Sequence, residues 1–354
     1  MVLSLFFSVI GVLFCLILCA PYPYYPLLIA LILAAILLLF IFKEKAKPQS
    51  KYWYIFNIII FFVSYYICSF IIFKPIKNNF SYDMSLDKNK KAVIFYCEGE
   101  MEKYTPYYSN YFMKDSACYV KPFKALQIKK YYKKIGVNKK NEDLLHVASL
   151  VKDSLLRNYP YYFYIAFDGY IPNIKDSIFQ ALSDGCKSIT IINYSQNNNL
   201  NKIIENDINM KIIEKSQIKI AITKPVTSEE TFCNGIVNRI ISLSAKYDGL
   251  LLIGENDNCN ILIKELLFQY GYNDNQILIS KDVDSSMEYF TNINCKNILY
   301  VDMMQSSSGI ESEIIMPEKF LKYTDRLKIS GLKSWGFSNE YVNAAIKVFV
   351  DAQN

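Results

Sequence analysis

Two glutamates stand where an alternating strand-and-helix chain can do chemistry. Glu255 follows the apolar run Leu250-Leu251-Leu252-Ile253, in the polar loop Gly254-Glu255-Asn256-Asp257-Asn258. Glu311 lies in Ser306-Ser307-Ser308-Gly309-Ile310-Glu311-Ser312-Glu313, soon after the strand-like run Asn297–Met303. Open α/β sheets place their ligands in loops at the carboxyl ends of strands. A carboxylate pair there can bind a hard divalent cation or accept protons. The plainer alternative is a pair of solvated loop acids, because loops collect charge whatever their role. An unperturbed glutamate is a weak base at pH 7, so a basic role for Glu255 requires a raised pKa. The only histidine, His146, falls off the apolar stripe Leu144-Val147-Val151-Leu155, which predicts a helix-surface position. No Cys-x-x-Cys, P-loop or nucleophile elbow occurs.

The elements that must position these acids alternate regularly. Residues 163–196 read FYIAFDGYIPNIKDSIFQALSDGCKSITIINYSQ. An apolar strand ends in a loop holding Asp168, Gly169 and Pro172. A helix-period segment, Ile174–Leu182, follows and closes at Asp184-Gly185, before a second buried strand, Ser188–Asn193. That is a β-loop-α-β unit, the building block of a parallel sheet. Lys91–Tyr96 predicts an earlier strand. Beyond it, strands are predicted at Lys219–Thr223, Gly249–Gly254, Ile277–Ser280 and Asn297–Met303. Helices are predicted at Glu229–Lys246, Asn260–Tyr270, Asp284–Phe290, Glu313–Tyr323 and Ser338–Ala352. The expected fold is α/β, with two similar lobes of mostly parallel sheet at 90–216 and 217–354. A membrane anchor at 1–77 and a linker at 78–89 precede them.

In detail this pattern resembles the ferrochelatases. That family ends one strand in an R-Y-x-H-P turn and the next in Y-P-Q-Y-S. Here Pro172 and the Tyr194-x-Gln196 frame stand in place, while Asp168, Gly169 and Ile171 replace the Arg, Tyr and His. The first strand's Gly-Gly-Pro turn becomes Glu98-Gly99-Glu100, and the segment 104–115 resembles the P-[FY]-L-x-x-[FL]-[FL]-x-D helix. Val137-Asn138-Lys139-Lys140 replaces the family's glycine-rich substrate loop. The resemblance puts Glu255 at the place of the histidine in S-A-H-[GS]-L-P, and Glu311 at the place of the glutamate in H-[IL]-E-[TV]-L. It implies that these two act in catalysis or hold the metal. It also implies that Cys97, Tyr104, Tyr108, Tyr170, Met303 and Met304 line the porphyrin, with Cys97 as an axial thiolate or a small buried hydrophobe. Porphyrin or haem is the implied partner. No cofactor is required, and a divalent metal such as iron would be the substrate. Loss of the histidine, the turn and the glycine loop predicts degenerate or atypical chelatase activity. The alternative from another class is a membrane-tethered, two-lobed solute-binding or sensory module without enzymatic activity.

At 354 residues, with 52% hydrophobic and 15% aromatic content, the chain has more apolar sequence than a soluble domain needs. The excess is N-terminal. Val2–Ala20 and Tyr54–Phe73 are apolar runs of spanning length, and Leu27–Phe42 reaches it if Tyr24-Tyr25-Pro26 sits in the interface. Three spans are therefore expected, in contact with membrane lipid. Lys43, Lys45, Lys47 and Lys51 against Lys74, Lys77, Lys88, Lys90 and Lys91 leave the positive-inside rule nearly balanced. Six cysteines scattered singly beyond the anchor point to a reducing compartment, hence to a multi-pass cell-membrane protein with a cytoplasmic domain. From residue 88 onward, 33 basic and 30 acidic residues give no nucleic-acid footprint.

Overall fold

The computed structural model describes residues 2–41, 51–74, 90–107, 109, 113, 116–195, 200–207, 218–243 and 247–353. The chain divides into two compact units, one made of 1–77 and 103–137, the other of 78–102 and 138–354. The membrane-like segment thus takes back 35 residues from the middle of the α/β chain.

The first unit contains α1 (Val2–Cys19), α2 (Tyr25–Ile41), α3 (Lys51–Ile72) and α4 (Lys121–Ile135). Two segments, Tyr22–Ile41 and Tyr52–Ile72, are long and apolar enough to cross a membrane, whereas the apolar helix Ser4–Cys19 is shorter. Among the described residues, two of the three expected spans are therefore met on length and composition. The helix of the first apolar run, Val2–Cys19, ends before the Pro21-Tyr22-Pro23 turn. Ser8 Oγ lies 2.8 Å from Ser64 Oγ. One turn further along both helices, Cys68 Sγ lies 4.0 Å from the Val12 carbonyl. The paired increments show that α1 and α3 run parallel. Their contact is close because Gly11 has no side chain: a Cβ there would sit 2.5 Å from the Phe61 carbonyl oxygen.

The second unit holds two parallel four-stranded sheets, ordered β2-β1-β3-β4 and β6-β5-β7-β8. The first contains β1 (Lys90–Glu98), β2 (Tyr162–Asp168), β3 (Cys186–Tyr194) and β4 (Lys219–Pro225). The second contains β5 (Gly249–Ile253), β6 (Ile277–Ile279), β7 (Asn297–Asp302) and β8 (Lys328–Leu332). The central strands are continuous apolar runs because helices cover both faces. One shared core joins β1, β3, β5 and β7 to α5 (Lys140–Leu156), α8 (Glu230–Ile241), α9 (Asn258–Gln269) and α12 (Asn339–Asp351). On the other face, α6 (Ile174–Ser183) and α7 (Leu200–Asp207) cover the first sheet. There α10 (Val283–Asn292) and α11 (Met316–Phe320) cover the second.

Two features depart from the expected lobes. The first sheet extends to Pro225, past the 216/217 boundary, since β4 pairs with β3. The last helix, α12, packs on α5, β3 and β4 of the first half. Alternation marks a strand but does not say which sheet its edge joins.

Candidate functional site

Both sheets reverse strand order beside their first strand, so ligands are expected at the carboxyl ends of β1 and β3 and of β5 and β7. Parallel register brings Glu98 level with Asp168, and Ile253 level with Asp302. Three features carry the strand-end residues of the two halves toward each other: the Gly99-Glu100 turn, the start of α5 and the loop after β7.

Lys140 is the meeting point. Its Nζ lies 3.2 Å from Glu98 Oε2, 3.2 Å from Glu100 Oε1 and 3.1 Å from Gln305 Oε1. Glu100 also accepts from Asn138 Nδ2 at 2.6 Å and from the Ile310 N–H at 3.0 Å. Gly309 makes this approach possible, because a Cβ there would lie 2.6 Å from Glu100 Oε1. Burial pulls the Lys140 pKa down, but the Glu100 and Glu98 carboxylates outweigh it and hold it above the ordinary lysine value. The ammonium therefore stays charged. Glu98 is raised by burial, against the opposing pull of Lys140.

Behind this network lies Asp302, the last residue of β7 and 0% exposed. Its Oδ1 accepts the Met304 N–H at 3.0 Å, and its Oδ2 has no partner among the described residues. Burial pushes its pKa up to about 7; the Met304 N–H opposes this, while the charges of Glu311 and Glu98 add to it. Glu98 and Asp302 thus form a pair of carboxyls whose pKa is raised by burial, one from each half, and the charge of Glu98 adds to the rise at Asp302.

The expected residues are placed as follows. Glu255 is 72% exposed and paired with Lys281 at 2.6 Å, which draws its pKa down. The raised carboxyl required of a base belongs instead to Asp302 and Glu98, because burial, which Glu255 lacks, is what raises it. Glu311 pairs with Lys319 at 3.3 Å while acting on Asp302. The strands bearing the two glutamates are neighbours in one sheet, so the acids from the opposite half are Glu98 and Glu100. Cys97 is wholly buried in the shared core, and burial holds its thiol protonated, which disfavours an axial thiolate. Tyr170 packs edge-on against Phe167. Met303 is buried and its carbonyl accepts Trp335 Nε1 at 2.7 Å, while Met304 is half-buried. Tyr104 belongs to the first unit, where its hydroxyl donates to the Cys19 carbonyl at 2.7 Å. Tyr108 lies outside the described residues, as do Tyr111, Phe112 and Gln196. His146 is exposed on α5 against Phe337, as its position off the stripe predicts. Among the described residues, no group of three or more His, Cys, Asp or Glu is disposed to hold a metal ion.

No family model matches the chain, and no curated protein sequence matches it. Solved structures do match. The sirohydrochlorin chelatase SirB from Bacillus subtilis subspecies spizizenii, in complex with cobalt, is similar at 15% identity and a TM-score of 0.50. That match covers 75% of this chain and 96% of the other. SirB from Bacillus subtilis with Fe3+ matches at 13% identity over 74% and 95% of the two chains, with a TM-score of 0.47. A multi-domain protein from Deinococcus radiodurans, described as structurally similar to chelatases, matches at 8% identity over 74% and 54%, with a TM-score of 0.42. The first of these shows the fold: this chain has a chelatase-like α/β fold with two parallel sheets. A ferrochelatase in particular is not shown.

Proposed function

We propose that the two-sheet unit binds a tetrapyrrole at the carboxyl ends of its strands, and that unit 1 anchors it to a membrane through its apolar helices. The observation that carries the reading is the Glu98–Asp302 carboxyl pair, at the strand ends of a fold shared with a sirohydrochlorin chelatase. Inserting a divalent metal into a tetrapyrrole releases two pyrrole N–H protons, so the site must accept them. Half-buried Glu98 is the acceptor nearer solvent, with Asp302 behind it holding a proton until the pH nears neutrality. Lys140 keeps compensating charge among them, which makes this set unlike a histidine-based one. The cargo metal, iron or cobalt, would be substrate, and insertion by this set is slow.

Metallation tests the chemistry. Full-length protein in detergent, given sirohydrochlorin or protoporphyrin with Co2+, should speed metallation modestly, with a rate rising through about pH 7. Glu98→Gln should remove the acceleration while leaving tetrapyrrole binding in place. Acceleration that survives Glu98→Gln would assign the proton transfer elsewhere.

A further inference from the structure

The helix α4 is inserted between β1 and α5, yet it packs with the N-terminal helices. Its sequence, KPFKALQIKKYYKKI, holds six lysines and no acid. Pro122, Ala125, Lys129 and Tyr132 form its buried stripe. Lys129 is held by the end of α1: its Nζ lies 3.2, 3.0 and 2.9 Å from the carbonyls of Ile17, Leu18 and Ala20. Those carbonyls have no partner within the helix, so the ammonium caps them and meets the negative end of the helix dipole. Burial draws its pKa down to about 8. At its first turn, Phe123 packs on Phe14 and Tyr65, and the Tyr65 hydroxyl donates to the Tyr119 carbonyl at 2.8 Å. So α4 lies across the end of the apolar helices where α1 stops, α2 starts and, by the parallel run, α3 stops.

Of the other five lysines, Lys121 is half-buried and Lys124, Lys130, Lys133 and Lys134 are exposed, although Lys124 donates to Ser116 Oγ at 2.7 Å and Lys133 stands over the Tyr22 ring. At the first turn of the same helix, Ile59, Phe62 and Tyr66 of α3 with Tyr119 and Phe123 line a groove of about 510 Å³ that is almost wholly apolar. An apolar groove at the start of a helix that carries a row of cations further along matches an acyl chain below an anionic headgroup.

We propose that α4 lies on an anionic bilayer surface, its exposed lysines on lipid phosphates and an acyl chain along the groove between Phe123 and α3. The inference rests on the reading of unit 1 as a membrane anchor. It also decides the orientation that the flanking lysines leave balanced. Adding the lysines of α4 to the end carrying Lys74 makes that end the cytoplasmic one.

The test is lipid selectivity of the full-length protein in nanodiscs, read from spin-labelled phosphatidylglycerol against spin-labelled phosphatidylcholine. Wild type should prefer the anionic lipid by on the order of tenfold at low salt, and high salt should reduce that preference. The triple variant Lys130→Gln, Lys133→Gln, Lys134→Gln should abolish it, with an unchanged melting temperature in detergent showing that loss of the Lys133 contact with Tyr22 leaves the fold intact. Phe123→Ala should weaken both lipids alike. Equal affinity for the two lipids in wild type, or a preference the triple variant retains, would overturn the proposal. Protein that purifies without detergent and fails to enter nanodiscs would instead overturn the membrane reading, and the proposal with it.

Discussion

At the scale of the residue, Asp302 is the strained point of the second unit. It is fully buried and one oxygen lacks a partner among the described residues, so its ionised form is disfavoured. The folded protein keeps a proton here that the unfolded chain releases near pH 3.8, up to about pH 7. Stability from this group is complete below the lower value and is lost as pH rises to the upper one. Asp302→Asn keeps the shape without the charge. It should stabilise the protein at pH 8 by on the order of 2–3 kcal/mol and confer no gain near pH 4, read from denaturation at each pH. A variant less stable than wild type at both pH values would mean that the anion is the form the fold requires. Sequence pattern did not single out Asp302, although its signal was present: an acid ending the buried run Ile298–Val301. Glu98, Glu100 and Lys140 were visible only as replacements in two loops, because their value comes from contacts across some 40 to 210 residues of chain. Glu311, taken from its place in the resembled loop, pairs with Lys319, and its charge adds to the raised pKa of Asp302. Glu255 was chosen because the resemblance puts it at the place of a histidine, and a matched place in a loop does not report burial.

At the scale of the element, periodicity served well where a strand or helix buries a continuous face. Strands β1, β3, β5 and β7 fall within two residues of their expected bounds, since each holds a stretch of buried, mostly apolar residues. The strand β8, Lys328-Ile-Ser-Gly-Leu332, escaped notice because an edge strand with Lys, Ser and Gly shows neither an apolar run nor clean alternation. The helix α7 escaped for a similar reason, its short turn following an asparagine run. The close pass of α1 and α3 at Gly11 was not legible either, since one glycine in an apolar run does not name the helix it meets. It can be tested directly. A side chain at Gly11 would press on Phe61 backbone, which cannot swing away, so Gly11→Leu should push the helices apart. The expected loss is roughly 1–3 kcal/mol, seen as a lower melting temperature in detergent, while Gly11→Ala should cost less. Unchanged melting for Gly11→Leu would contradict the contact.

At the scale of the whole molecule, the chain passes from the apolar unit to the α/β unit, returns for 103–137, and then completes both sheets. A fragment beginning at residue 88 would leave α4 without the helices that cover Ala125 and Tyr132 and accept from Lys129. Work on function therefore requires the full chain. The two-sheet architecture was legible because βα alternation is a property of the whole sequence. The return of α12 to the first half and the weave of α4 were not, since both depend on which surface an amphipathic face finds.

The most direct measurement is an absorption titration of detergent-solubilised full-length protein with sirohydrochlorin, protoporphyrin, coproporphyrin and haem. A tetrapyrrole seated at the strand ends should give a saturable Soret shift with at least one of them. The midpoint should move across pH 6 to 8 as Asp302 titrates at about 7, and that pH dependence should vanish in Asp302→Asn. No spectral change with any of the four would contradict tetrapyrrole binding and leave a membrane-tethered solute-binding module as the better description.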